Sequence, residues 1–271
     1  MKKSIKAIAN LINVNDEVYK QYSERFQAKT LTNRLMYIIA YLLPGVLAYL
    51  IVNIKTVHDF WSTTLGFEGY NFQYFIFLVF TFGWHIGLPL YMLKGRQKMT
   101  WHEVFDFLSL NRFSVKEVFI VAPIAFVLSV ILSLPYMMFV YEPFQAWLNS
   151  IPAFQIPAHS IFGSYEAFYG ASTFVLVLML VGNFIGEEIY FRGYLMKKTA
   201  FLGKYNWLMN SLLFCIYHVW QIPQSLPLIV PFLFFGLVMQ LRKNLYTLFI
   251  FHLLFNLAGV QIYNVLLGLG N

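Results

Sequence analysis

Two adjacent carboxylates, Glu187 and Glu188, stand inside an apolar stretch of the sequence, GNFIGEEIYFRGYL, whereas the other ten acidic residues fall in connections or at the edges of apolar segments. Ionisable groups at membrane depth are costly and usually mark function. Arg192 follows Glu188 by one helical turn and can pair with it. Glu187 is turned by about 100° from Glu188 on a helix. The pattern predicts a structural Glu188 and a Glu187 free for chemistry; the alternative is that the helix ends early and water reaches both carboxylates.

Two further elements carry polar side chains in apolar surroundings. His218 lies in FCIYHVW, and His252 and Asn256, four residues apart in FHLLFNLAG, share a helix face. Because the residues between His252 and Asn256 are apolar, the pair predicts polar neighbours inside a helix bundle. His85 and Asn183 lack such partners in the sequence and are interpreted as helix-contact residues.

These residue types suit amide hydrolysis, which needs an activated water and donors for the developing oxyanion. Glu187 is the candidate base, and His218 can orient the same water. His252 and Asn256 can donate to the oxyanion. A zinc peptidase is the leading alternative enzyme, since His218, His252 and a glutamate could form a His₂Glu site. The sequence has no HExxH, and an amide is a poor zinc ligand, so we predict no metal or other cofactor.

The elements that position these residues must be membrane helices. Apolar residues make up 59% of the 271-residue chain and charged residues 11%, with a mean hydropathy of +0.62. Soluble domains carry about 25% charged residues. We therefore predict an all-α, polytopic transmembrane bundle of about seven spans, with six and eight left open. The seven apolar segments are Leu35–Ile54, Phe72–Leu93, Val118–Val140, Phe168–Tyr190, Trp207–Trp220, Leu226–Leu241 and Leu245–Leu267, of which the fifth and sixth are short for a span.

Charge sets the orientation. Alternate connections hold eighteen of the nineteen Lys and Arg residues, which predicts a cytoplasmic N-terminus by the positive-inside rule. Residues 1–34 are predicted to be a cytoplasmic amphipathic segment, and residues 35–271 the membrane domain. The net charge of +7 is spread over short clusters between apolar runs, so we predict membrane lipid and no nucleic acid as a partner. If the fourth helix continues to about Met196, the site residues meet at one depth in the cytoplasmic half of the membrane.

Three motifs in order resemble the CAAX-protease and bacteriocin-processing family, which includes the prenyl-protein (Ras-converting) endopeptidases. The family's EExxxR matches Glu187, Glu188 and Arg192. Its FxxxH matches Phe214 and His218, and its HxxxN matches His252 and Asn256. The resemblance covers about residues 168–267, the C-terminal four helices.

The resemblance implies a glutamate-type endopeptidase that cuts a membrane-associated peptide or protein inside the bilayer, with all six polar motif residues at the catalytic site. Three substrates stay open: a prenylated CaaX tail, a bacteriocin leader or signalling peptide, and a membrane-protein segment. A bacterial cell membrane is the expected location. Two other functional classes were weighed: a non-catalytic adaptor or bacteriocin-immunity protein of the same fold, and a transporter, for which a lone glutamate pair beside an arginine offers little of a translocation path.

Overall fold

The computed structural model describes residues 13–267, which form helices and connecting turns with no strand among them. The predicted N-terminal segment 1–34 therefore lies partly outside the described residues. The helices, in chain order, are α1 Glu17–Phe26, α2 Leu31–Val52, α3 Lys55–Thr64, α4 Asn71–Arg96, α5 Trp101–Leu108, α6 Glu117–Asn149, α7 Tyr165–Tyr169, α8 Thr173–Lys198, α9 Asn206–Tyr217, α10 Val219–Arg242, α11 Leu245–Gly259 and α12 Val260–Leu267. Short 3₁₀ turns lie at Pro152–Phe154 and Ala200–Tyr205 and inside α10 at Val219–Gln221 and Leu226–Leu228.

Five of these helices, α2, α4, α6, α8 and α10, are long and apolar enough to cross a membrane, and α11 is a shorter apolar helix. The all-α polytopic bundle predicted from composition is confirmed. All seven predicted apolar segments contain helix, but their bounds differ from the prediction. The fourth helix begins at Thr173, where the Ser172 side chain caps the first turn, and not at Phe168. The sixth segment is not short, because its helix starts at Val219 and runs for 24 residues.

The connections that carry the basic residues meet at one end of the bundle, called here the basic end. The backbone N–H of Val14 donates to the carbonyl of Leu241, that of Ala28 to Lys198, and that of Leu245 to Ser109. The first two bonds join the N-terminal segment to the ends of α10 and α8, and the third joins the connection after α10 to the one after α5. Ion pairs reinforce the contacts: Arg112 lies 2.8 Å from Asp16, and Arg242 pairs with Glu117.

The other three connections meet at the opposite end, called here the far end. The Asn53 side chain donates to the carbonyl of Trp220 over 2.9 Å, which joins the connection after α2 to the turn after α9. The Gln73 side chain donates to the carbonyl of His159 over 2.6 Å, and the Gln224 side chain donates to the carbonyl of Phe162 over 3.2 Å. The grouping of connections inferred from charge is therefore also their grouping in space.

The end of α9 is held against α2 by a close backbone approach. A Cβ added at Gly45 on α2 would overlap the carbonyl oxygen of Tyr217, so only glycine fits there. Small residues allow helix backbones to pack closely in membrane proteins. This contact fixes the point where α9 stops and the chain turns into α10, and His218 lies at that turn.

Candidate active site

The glutamate pair lies near the middle of α8. The helix continues past Arg192 to Lys198, as the depth argument from the sequence required. Ten residues separate Glu187 from Lys197, so Glu187 lies about 15 Å from the basic end. The side chains of Glu187 and Glu188 are 3% and 0% exposed. The alternative in which water reaches both carboxylates is therefore wrong.

Close packing of α4 holds this part of α8 in place. Gly182 and Gly186 are one turn apart and immediately precede Glu187. A Cβ at Gly186 would lie 2.7 Å from the carbonyl oxygen of Thr81 on α4, which is too close for any side chain. The two glycines therefore let α4 approach the backbone of α8 and fix the position from which Glu187 projects.

Glu188 is held by two other site residues. Its Oε1 atom accepts from Nη1 of Arg192 over 3.2 Å and from Nδ1 of His252 over 2.9 Å. Glu188 and Arg192 are both fully buried. The pairing of Glu188 with Arg192 expected from their spacing is confirmed, and the bond to His252 ties α8 to α11.

Phe214 shows why an aromatic residue precedes His218 by one turn. The guanidinium carbon of Arg192 lies 3.9 Å from the centre of the Phe214 ring, a cation–π distance. The ring of His218 meets the same phenyl ring edge-on at a centroid distance of 4.8 Å. One aromatic side chain thus supports both the structural arginine and the neighbouring histidine.

Glu187 faces the two histidines. Its Oε1 atom is 3.7 Å from Nε2 of His218, and its Oε2 atom is 3.9 Å from Nε2 of His252. Neither separation is a direct hydrogen bond, and within residues 13–267 Oε2 has no hydrogen-bond partner. The two imidazoles therefore flank the Glu187 carboxylate without a direct hydrogen bond to it.

His218 lies one residue beyond the last turn of α9, not inside a helix as the sequence indicated, because α9 ends at Tyr217. The Nδ1 atom of His218 is 2.9 Å from the carbonyl oxygen of Phe214. A carbonyl can only accept, so Nδ1 carries the hydrogen and the neutral ring presents an unprotonated Nε2 towards Glu187.

Asn256 lies one turn after His252 on α11 and is exposed. Its Nδ2 atom donates to Oδ1 of Asn183 on α8 over 2.7 Å. Asn183 is a helix-contact residue, as the sequence indicated, but it also lines the same cavity as Glu187. The sequence analysis did not assign Asn183 to the site, although its position one turn before Glu187 is a signal from which that placement could have been inferred.

Glu187, His218, Asn256 and Asn183 share a cavity of about 780 Å³. The rest of its wall is mostly apolar: Phe77, Ile161, Phe162, Gly163, Ser164, Phe168, Tyr169, Thr173, Leu176, Val177, Met179, Leu180, Trp220, Gln221, Gln224 and Leu257. Glu188, Arg192 and His252 do not line it. The structure therefore brings all six predicted residues into one cluster but divides them between the cavity wall and the packed interior.

No group of three or more His, Cys, Asp and Glu side chains suited to holding a metal ion occurs within the described part of the chain. His85, the other intramembrane histidine, lies beside the site and not in it. Its Nε2 atom is 3.1 Å from the Tyr217 hydroxyl, which supports its interpretation as a helix-contact residue.

The fold and the cluster together define an integral membrane protein with a buried polar site that opens into an internal cavity. Residues 169–258 match the family model described as type II CAAX prenyl endopeptidase, Rce1-like. The matched stretch contains all three motifs, so the resemblance seen in the sequence is confirmed over this region. The match supports a membrane endopeptidase of the CAAX type as the general class. Neither the curated proteins nor the solved structures contain a match to the chain.

Proposed function

We propose that the protein is an intramembrane endopeptidase that hydrolyses a peptide bond with water activated by Glu187. The observation that carries the proposal is the buried Glu187 carboxylate, which faces the cavity between two imidazole Nε2 atoms and is the carboxylate of the pair without an ion-pair contact to Arg192. A carboxylate held in this way suits a general base.

In the proposed reaction, Glu187 takes a proton from water as the water oxygen attacks the scissile carbonyl carbon. Nε2 of His218 accepts a hydrogen bond from the other O–H of that water, which stays on the oxygen, because the bond from Nδ1 to Phe214 fixes the tautomer. When the C–N bond breaks, Glu187 returns its proton to the leaving amine. The products are a carboxylic acid and an amine, and Glu187 regains its charge.

Asn256 and His252 stabilise the oxyanion. Asn256 has two N–H groups; one donates to Asn183, and the other is available to the carbonyl oxygen. His252 donates through Nε2 when both ring nitrogens carry hydrogens, and the Glu188 carboxylate at Nδ1 compensates the positive charge. Arg192 is a positioning residue, since it acts through Glu188.

We also propose an orientation in the membrane and a division of the chain into a cytoplasmic segment and a membrane domain. The basic end is placed on the cytoplasmic side because alternate connections carry eighteen of nineteen basic residues. Residues 1–34 form the cytoplasmic segment, residues 35–271 the membrane domain, and residues 168–267 the catalytic core. The bacterial cell membrane is the proposed location, and a membrane-associated peptide or protein is the proposed substrate.

A comparison of cells that produce the wild-type protein with cells that produce Glu187→Gln tests the activity without knowledge of the substrate. Membrane and secreted peptides from both strains are identified by mass spectrometry, with the two proteins produced at equal levels. We expect new peptide ends that appear only with the wild type. Identical peptide populations would contradict the proposed protease activity.

A further inference from the structure

The cavity extends from Glu187 to the far end of the bundle. Its lining includes Phe162 and Ser164, which belong to the connection before α8, and Gln221 and Gln224, which follow α9. Both regions are at the far end. Towards the basic end, the next side chains beneath Glu187 are Glu188 and Arg192, which are fully buried and close the interior.

A second cavity of about 530 Å³ adjoins the first at the far end and shares Phe162, Gly163 and Gln224 with it. Its wall carries four carboxamide side chains: Gln145, Asn149, Gln155 and Gln224. A carboxamide both donates and accepts hydrogen bonds, as a peptide group does. These side chains therefore match the backbone of an extended peptide better than they match a lipid tail.

The charged residues on the cavity walls limit which substrates fit. No Lys or Arg lines either cavity within the described residues, and Glu187 is the one carboxylate on their walls. A free terminal carboxylate close to the scissile bond would meet Glu187 with no cation to neutralise it. Like charges placed together disfavour recognition.

We propose that the substrate is an extended polypeptide segment, uncharged around the scissile bond, that reaches Glu187 from the far end of the bundle. With the basic end on the cytoplasmic side, this is the face of the membrane away from the cytoplasm. The inference rests on the proposed endopeptidase function and assigns its substrate class and its direction of entry.

Thiol labelling of intact cells tests the direction of entry without any measurement of activity. Gln224→Cys places a thiol at the far end and Asn183→Cys places one beside Glu187, while Lys204→Cys is the matched exposed position at the basic end. The native Cys215 is 1% exposed, so the wild type is the unlabelled control. A small, charged, membrane-impermeant thiosulfonate is added outside the cells.

We expect Gln224→Cys and Asn183→Cys to react in intact cells, and Lys204→Cys to react only after the membrane is permeabilised. If Asn183→Cys does not accumulate, Leu180→Cys on the same cavity wall replaces it. Reaction of the deep thiol only from the cytoplasmic side would overturn the proposed entry. Reaction of Lys204→Cys from outside would overturn the assigned face.

A peptide library tests the substrate class. Proteome-derived peptides are divided into two halves, one with free C-terminal carboxylates and one with C-terminal amides, and each is incubated with the purified protein and with Glu187→Gln. We expect Glu187-dependent cuts within three residues of the C-terminus to be about tenfold more frequent in the amide half. Equal frequencies, or a preference for the carboxylate, would overturn the uncharged substrate. Absence of cuts in both halves would count against the protease function, whereas the labelling decides the direction of entry independently.

Discussion

Glu187 and Glu188 are neighbours in the sequence and have opposite surroundings. Glu188 points into the packed interior, where Arg192 and His252 both donate to its Oε1 atom. Glu187 points into a cavity of about 780 Å³, and its nearest imidazole nitrogens, Nε2 of His218 and Nε2 of His252, are 3.7 and 3.9 Å away. Adjacent residues on a helix point about 100° apart. Glu188 therefore holds the helices together, while Glu187 is placed to act on a substrate.

The same contrast extends through the bundle. Towards the basic end, hydrogen bonds link several buried polar groups: Asn210 donates to the Tyr41 hydroxyl over 2.7 Å, and the Thr199 hydroxyl to Asn206 over 2.8 Å. Towards the far end the space beyond Glu187 is lined by apolar side chains and carboxamides. A buried catalytic carboxylate needs packed, hydrogen-bonded residues on one side and space for a substrate on the other. The packed side keeps the site preorganised, so that its groups need not reorganise during the reaction.

The largest effect is expected from Glu187→Gln, which removes the base and keeps the side-chain shape. Loss of a general base typically lowers turnover by about 10²–10⁴-fold, and we expect the upper part of that range. Unfolding in detergent should change little, because Glu187 makes no direct ion pair with Arg192. Peptide cleavage by purified protein and thermal unfolding are the measurements, with the exposed Glu24→Gln as the control. Near-normal turnover of Glu187→Gln would show that Glu187 is not the base.

Arg192→Met should affect Glu188, the structural carboxylate of the glutamate pair, and should therefore lower stability. It leaves Glu188 buried with His252 alone, and breaking a buried ion pair costs about 3–5 kcal/mol of stability. Turnover should fall together with stability, unlike in Glu187→Gln. The exposed Arg96→Met is the matched control and should unfold like the wild type. If Arg192→Met unfolds at the wild-type temperature, the buried pair does not hold the bundle as described.

Asn256→Ala tests whether this cavity-wall residue stabilises the transition state or binds the substrate. An oxyanion donor acts mainly on the transition state, so its loss should lower turnover by about 10²–10³-fold. The Michaelis constant should change far less, because the interaction strengthens only as charge develops on the carbonyl oxygen. Steady-state kinetics of the purified variant separate the two quantities. A large rise in the Michaelis constant at unchanged turnover would instead make Asn256 a substrate-binding residue.

Asn183→Leu should have a smaller effect that depends on Asn256. Asn183 orients the amide of Asn256 by accepting from its Nδ2 atom, so we expect turnover to fall about tenfold, the equivalent of one neutral hydrogen bond. In the Asn256→Ala background the same substitution should change turnover little. The double-mutant cycle measures this coupling. Additive effects would show that Asn183 acts on its own, and Asn183→Asp, which keeps the accepting oxygen, should restore part of the loss.

Much of this arrangement follows from local spacing. Residues four apart on one helix, such as Glu188 with Arg192, lie on one face whatever the tertiary structure, so the sequence predicts their pairing. The order and apolar context of the three motifs likewise predict that their helices meet. Alternation of charge predicts which connections share an end, because all of them must leave the membrane on one side or the other.

The remaining features depend on packing between distant segments. The end of α9 just before His218 is set by the contact of Gly45 with Tyr217, two residues far apart in the chain. The role of Asn183 depends on Asn256, which is supplied by a different helix. The two cavities are partly lined by connections whose course no periodicity specifies, and α3 lies in a connection to which the sequence assigned no helix.

The smallest effect is expected from removal of metal ions, and it separates the glutamate mechanism from a zinc mechanism. Both place His218, His252 and a glutamate at the reaction centre, so loss of activity in variants of those residues fits either. In the glutamate mechanism Glu187 is the base that activates the water and His218 orients it, and His218 is held by its bond to Phe214 rather than by a metal. We therefore expect purified protein that has been dialysed against a strong chelator, and shown to be metal-free by elemental analysis, to cleave peptide at the wild-type rate. Added Zn²⁺ should not raise that rate, and Glu187→Gln treated in parallel gives the background.

Stoichiometric zinc whose removal abolishes cleavage and whose return restores it would replace the proposed mechanism, because His218, His252 and Glu187 would then be ligands. The division between the packed side of Glu188 and the open side of Glu187 would survive that result, since it depends on hydrogen bonds and a cavity that are independent of the metal.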